Sequence, residues 1–256
     1  MSLFNKALAS IGIGSAQVDT KLEQDTVVPG GEIRGVVHIK GGSTEQKVDE
    51  IYLALNTTYL KESNDRKFNV PVVVDRFRLN EPFTVGPGET KEIPFSFILP
   101  LDVPISIGRS KIWVTTSLDI KNAVDPTDKD YLKVVPNKLM DSVLTAVEDL
   151  GFRLREADCE QAPYRLRKRL PFIQEFEYVP VMGSFRGKLD ELELVFFPAS
   201  ENEVEIFMQV DRRARGLGGF LSEALEMDES NIRFTVTSSD LPNLKEKLES
   251  TINRYS

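Results

Sequence analysis

Four glutamates in two short alternating runs are the residues whose type and spacing could do chemistry. They are Glu175 and Glu177 in QEFEYVP, and Glu191 and Glu193 in DELELVF. Two carboxyl groups held close together can divide the work of acid, base or nucleophile in breaking a glycosidic bond. These four, however, occupy the polar row of alternating strands, where charge is expected whatever the protein does. His38 and Cys159 are the only histidine and cysteine. One of each cannot build a Cys/His zinc site or an intramolecular disulfide, and a Ser-His-Asp triad would have to use His38. His38 falls on the mixed row of GVVHIK, a surface or half-buried position. DPTDKD offers Asp125, Asp128 and Asp130, but an EF-hand loop needs acids at its positions 1, 3 and 5 and a glycine at 6. Here the second acid comes one place late and the glycine is missing, which predicts a solvated loop. Gly12 and Gly14 lack a preceding buried strand and a following helix, so they mark a turn and not a phosphate cradle. No catalytic residue, cofactor or metal ligand is expected.

Recognition is better supported. Arg165, Arg167, Lys168 and Arg169 cluster in PYRLRKRLPF, and Arg212, Arg213 and Arg215 in DRRARGLGG. Both clusters sit in or beside loops, where a rigid scaffold commonly carries binding residues. Arg outnumbers Lys in the second half of the chain, the reverse of the first, and its planar fork suits carboxylate or phosphate. Tyr164 and Phe172 stand near the first cluster. The competing account is a solvated surface neutralised by Asp158, Glu160 and Asp211. A net charge of −8 gives no overall attraction to nucleic acid or anionic lipid. At physiological salt a basic patch acts only within roughly 8 Å. The expected partners are therefore other proteins, with no nucleic acid.

The elements that must hold these loops are strands. Ile33, Gly35, Val37 and Ile39 alternate with Glu32, Arg34, Val36, His38 and Lys40 after the turn at Pro29-Gly30-Gly31, and Gly41-Gly42 ends the run. Ile51, Leu53, Leu55, Thr57 and Tyr59 line one face of a long strand. Ile93, Phe95, Phe97 and Leu99 line another, and Ile112, Val114, Thr116, Leu118 and Ile120 a fourth. With Val18, Thr20 and Leu22, a strand interrupted by Pro71, and DYLKVVP, about seven strands precede residue 136, the pattern of a two-sheet sandwich. Asn137 then caps a helix, 137–150, whose Leu139, Met140, Val143, Leu144, Val147 and Leu150 share a stripe and which Gly151 ends. Strands resume in FRLREADCE, FIQEFEYVPV, KLDELELVFFPAS, NEVEIFMQVDRR and NIRFTVTS. A looser, partly helical segment holds Leu217, Phe220, Leu221 and Leu225. Asp240 caps a terminal helix, 240–256, with Leu241, Leu244, Leu248, Ile252 and Tyr255 on one face. Leu3, Phe4, Ala7, Leu8 and Ile11 predict a short amphipathic helix at 2–11. No run of 18 apolar residues is long enough to span a membrane, and no secretory signal opens the chain.

VVPGGEIRGVVHI resembles the Pro-Gly turn and G-x-V strand of the arrestin clan's amino-terminal sandwich, and FILPLDVPISIGRSKIWVTTSLDI resembles a later passage of it. Over nearly all 256 residues, and most specifically in VDRRARGLGGFL, the chain resembles the stage-zero sporulation protein M family of bacilli and related bacteria. The resemblance implies an all-β fold of two arrestin-like antiparallel β-sandwich domains. The domains would be 1–136 and 137–256, the second including the linker helix and the C-terminal helix. It also implies a cytoplasmic regulatory or scaffold protein, without catalysis, in control of entry into sporulation. The alternatives are a peripheral membrane or cytoskeleton-associated adaptor using the amino-terminal helix, and a hydrolase using the paired acids.

Overall fold

The computed structural model describes residues 15–63, 66–79, 81–120, 125–211 and 231–256. The helix expected at 2–11, the Gly12–Gly14 turn, the looser segment around Leu217–Leu225, and Arg212, Arg213 and Arg215 lie outside the described residues. The chain forms two compact units. One comprises Met1–Thr57, Pro71–Pro100 and Lys111–Lys133; the other comprises Thr58–Val70, Leu101–Ser110 and Val134–Ser256. The short excursions Thr58–Val70 and Leu101–Ser110 break the simple serial order of two halves.

The first unit is built from β1 (Gln17–Leu22), β2 (Thr26–Val27), β3 (Glu32–Lys40), β4 (Gln46–Ser63), β5 (Arg66–Arg78), β6 (Phe83–Val85), β7 (Thr90–Ile98), β8 (Ile112–Ile120) and β9 (Thr127–Val134). Residues of β4 and β5 beyond Thr57 and before Pro71 belong to the second unit. Strands β1, β3 and β7 make one antiparallel sheet, and β4, β8, β9 and β2 are neighbours in another. Alternation dictates what faces inward. Ile33, Val37, Ile39, Leu53, Leu55, Val114 and Leu118 are wholly buried, and each strand's intervening residues are more exposed. Two polar side chains on these rows bury together: Thr20 Oγ1 and Thr116 Oγ1 lie 2.6 Å apart and share a hydrogen bond, which removes the cost of desolvating either. Strand β5 was expected to be interrupted by Pro71, yet it runs through it. A proline removes one ladder donor, which a strand tolerates where that donor faces no neighbour. DPTDKD also departs from the expected solvated loop. Asp128 and Asp130 lie inside β9, and Asp128 accepts the Thr20 backbone N–H at 2.7 Å.

The second unit carries a five-stranded antiparallel meander of β10 (Phe152–Gln161), β11 (Phe172–Pro180), β12 (Glu191–Ser200), β13 (Glu203–Asp211) and β14 (Asn231–Thr237). Helix α1 (Lys138–Asp149) forms because its apolar residues recur every three or four positions; Leu139, Met140, Val143, Leu144 and Val147 are buried. Asn137 caps it, its side chain accepting the Met140 N–H. Gly151 ends it at φ 96°, where an added Cβ would stand 2.3 Å from the Met182 carbonyl oxygen, so only glycine fits. Helix α1 packs on β10, on β13 and on the terminal helix α2 (Leu244–Tyr255). Leu244, Leu248 and Ile252 of α2 are buried, whereas Tyr255 is exposed. Its start also differs from the expected Asp240 cap. A 3-10 turn, Ser238–Asn243, precedes it; Thr237 is the cap and Asp240 answers it in a capping box. Pro242, which has no N–H to give, occupies that turn.

The row of Phe176, Tyr178, Leu192, Leu194, Ile206 and Met208 is buried, as alternation requires. The opposite row was expected to be polar and wet, and much of it is not. Glu191, Val195, Phe207 and Gln209 are also buried, and a loop between β10 and β11 covers Val195 and Phe207.

Candidate partner-binding site

That loop, residues 162–171, holds the first basic cluster. Its ends are joined by the Ala162 N–H donating to the Pro171 carbonyl at 2.9 Å, and its turn is set by Pro163, whose carbonyl accepts from Leu166 and Arg167. The pattern R-L-R-K-R-L then sorts itself by polarity. Leu166 and Leu170 turn inward at 2% and 7% exposure. Leu166 packs with Ala162, Ile173, Val195 and Phe207, against which Phe197 also lies. Burying a leucine of this kind stabilises by about 1.5–3 kcal/mol, so two anchors fix the loop while its cations point out. Arg165, Arg167, Lys168 and Arg169 are all exposed, and Tyr164 is 90% exposed.

The neutralising acids named by sequence proximity are engaged elsewhere. Asp158 accepts from Arg109 Nε at 3.1 Å, and Glu156 also bonds Arg109. Glu160 pairs with Lys67 at 3.1 Å. Arg155 donates to Glu191 at 2.7 Å and bonds Glu177 as well. Of the loop cations, Arg169 forms a two-point contact with Asp102, Nε–Oδ2 3.0 Å and Nη2–Oδ1 2.5 Å. Arg165, Arg167 and Lys168 have no ion pair among the described residues. Lys168 Nζ stands 5.7 Å from the centre of the Phe197 ring. The loop therefore offers a positive charge that this part of the chain does not neutralise.

The candidate chemical residues are placed differently. Burial first, and then the charges of Glu160 and Glu191, push the Glu175 carboxyl up to about 8. Burial, then Glu175 and Glu191, push Glu193 up to about 10. Glu193 hydrogen-bonds both Glu175 and Glu191; Glu175 and Glu193 hold protons at neutral pH, while Glu191, raised by burial, faces Arg155. Cys159 is buried, which raises its thiol to about 12 and leaves it neutral. His38 is half-buried on β3, its Nδ1 3.4 Å from Glu92. Asp130 is raised to about 6 by burial and by Asp128. Among the described residues no group of three or more His, Cys, Asp or Glu side chains is arranged to hold a metal. No described helix is long and apolar enough to cross a membrane.

A cavity adjoins the loop. It is small, with about 60 Å³ of free space, and is lined by Phe172, Phe176, Phe196 and Phe197 with Leu166 and Lys168 of the loop. Sequence reasoning found the cations and missed the anchors and this cavity. The signal was present in Leu166 and Leu170 bracketing the charges, and in Val195 and Phe207 standing where polar residues were expected.

Comparison with known proteins adds the following. The family described as SpoOM protein matches residues 4–214. The sporulation-control protein spo0M of Bacillus subtilis (strain 168) is 46% identical over 258 aligned residues, covering 100% of this chain and 99% of that protein. The crystal structure of Spo0M, sporulation control protein, from Bacillus subtilis superposes with a TM-score of 0.88 at 45% identity, over 95% of this chain and 100% of the other.

Proposed function

The chain belongs to the SpoOM protein family, and from that premise we propose that it is a non-enzymatic regulator of entry into sporulation. It acts in the cytoplasm by binding other proteins, with the loop 162–171 as a contact surface. A role in sporulation control follows from the relative's own description. The observation that carries the loop is the contrast in its neighbourhood. Nearby carboxylates are consumed by Arg109, Arg155 and Lys67, while Arg165, Arg167 and Lys168 stand exposed without an ion pair among the described residues. Electrostatic complementarity of this kind selects an acidic partner surface and speeds encounter. Support for the absence of catalysis comes from the lone cysteine. The Cys159 thiol is neutral and buried, so it is not poised as a nucleophile.

The test is cross-linking in living cells followed by mass spectrometry, comparing the natural chain with the triple variant R165E/R167E/K168E. Arg169 is left intact because it holds Asp102. Loss of specific partners with an unchanged melting temperature is the expected result. An identical partner list would remove the loop from the account.

A further inference from the structure

Between β11 and β12 the sheet forks. Their ladder extends only from Glu175↔Val195 to Tyr178↔Leu192, although β11 begins at Phe172 and β12 continues to Ser200. The parted ends stay paired on their far sides. Phe172, Ile173 and Gln174 pair with β10, and Phe196, Phe197 and Pro198 pair with β13. The open cavity lies between these branches and is lined by all six residues. Phe176 and Phe196, which meet edge to face at 5.3 Å, belong to the row covered by α1. Ile173 and Phe197 belong to the row covered by the loop. The gap thus passes from one face of the sheet toward the other. The Gln174 side chain holds its wall in place, accepting from the Ile105 N–H at 2.8 Å and donating to the Ile105 carbonyl at 2.9 Å.

We propose that this fork is a binding cleft for an extended, acidic peptide segment of a partner protein that carries a bulky apolar residue. The proposal rests on the reading of the loop as a partner surface and names the chemistry of the partner. Three features choose the occupant. An aromatic lining with about 60 Å³ of free space takes a single apolar side chain. Two strands that part leave alternate backbone N–H and C=O groups turned into the gap, outside any ladder, and an extended backbone is what matches them. The lining includes Lys168, and Arg165 and Arg167 are exposed on the same loop; the single carboxylate of the lining, Asp102, is already held by Arg169. Carboxylates flanking the apolar anchor would complete charge-assisted bonds there. A fatty acid satisfies the apolar and charged features and leaves the strand edges unused, so the peptide is favoured.

The experiment is selection of random displayed peptides of about twelve residues on the full chain, with a parallel selection on R165E/R167E/K168E. Binding of the best peptide is then measured by fluorescence anisotropy, with sodium laurate and anionic vesicles as competitors. The expected consensus is Phe, Leu, Ile, Trp or Met with Asp or Glu within three positions. Alanine at the anchor weakens binding at least tenfold. The triple variant does the same at an unchanged melting temperature, and so does F197A, which loses packing against the loop's anchor and is measured well below its own melting temperature. A consensus that is acidic but indifferent to the anchor overturns the fork, as does the absence of any consensus. Displacement by laurate or vesicles without peptide binding overturns it too. If charge reversal removes partners in cells while no such consensus emerges, the fork fails and the loop reading stands. If peptides bind as expected while the cellular partner list is unchanged, the fork stands and the loop's role in choosing partners falls.

Discussion

Arg155 lies within β10 and Arg165 in the loop that follows it, and they live under opposite rules. Arg155 is clasped by Glu177 and Glu191, on a face where Arg109 and Lys67 likewise have carboxylate partners. Arg165 stands in solvent with Arg167 and Lys168, and no described carboxylate answers any of the three. A cation that satisfies buried acids contributes to holding the fold. A cation left unanswered contributes nothing to the fold and is free to meet another molecule. The same residue type therefore reports structure at one place and recognition at the other.

That contrast can be tested from its largest consequence downward. Leu166→Ala strips the loop of its buried anchor and should cost about 2–5 kcal/mol, read as a lower midpoint in urea unfolding; a loss under 1 kcal/mol would mean the loop does not depend on it. Arg155→Ala leaves Glu177 and Glu191 without their cation. Because the guanidinium is partly exposed, we expect the low end of the range of about 3–5 kcal/mol for a broken buried pair, measured the same way. A third test uses pH. Glu175 and Glu193 are raised from 4.5 to about 8 and about 10, so the folded chain keeps protons that the unfolded chain releases near 4.5. Raising the pH through that window favours the unfolded state. Stability should be greatest near the lower value and decline toward pH 8, and Glu193→Gln should flatten the decline and raise the melting temperature at pH 8. A stability that climbs across the same window would reverse the assignment. The smallest effect belongs to the free cations. Arg165→Ala with Arg167→Ala should change stability by less than about 0.5 kcal/mol while weakening partner binding. A stability loss as large as that of Arg155→Ala would erase the distinction between the two regions.

The strands were legible because a two-residue period survives wherever one face is buried. Ile112, Val114, Thr116, Leu118 and Ile120 were identified from spacing alone, and all five are buried. Helix α1 was equally plain, since Asn137, the apolar stripe and Gly151 agree with one another. The period failed on β12 and β13. Val195 and Phe207 sit in rows that the glutamates marked as polar, and a chain segment between other strands covers them. Alternation tells which residues share a face and is silent about what lies above it. The same limit applied to the excursions Thr58–Val70 and Leu101–Ser110, whose place in the second unit depends on contacts such as Gln174 with Ile105.

The order of apolar and polar residues by itself determined that this protein would be layered sheet with a helix after residue 136 and another near the C-terminus, because side-chain direction in a strand or helix follows from backbone geometry. It also determined that a run of cations would lie in a loop. Only the tertiary structure decided which charges were already spoken for, where β11 and β12 part, and how far the glutamates retain their protons. Those properties depend on distances between residues far apart in the chain, and no local pattern encodes them.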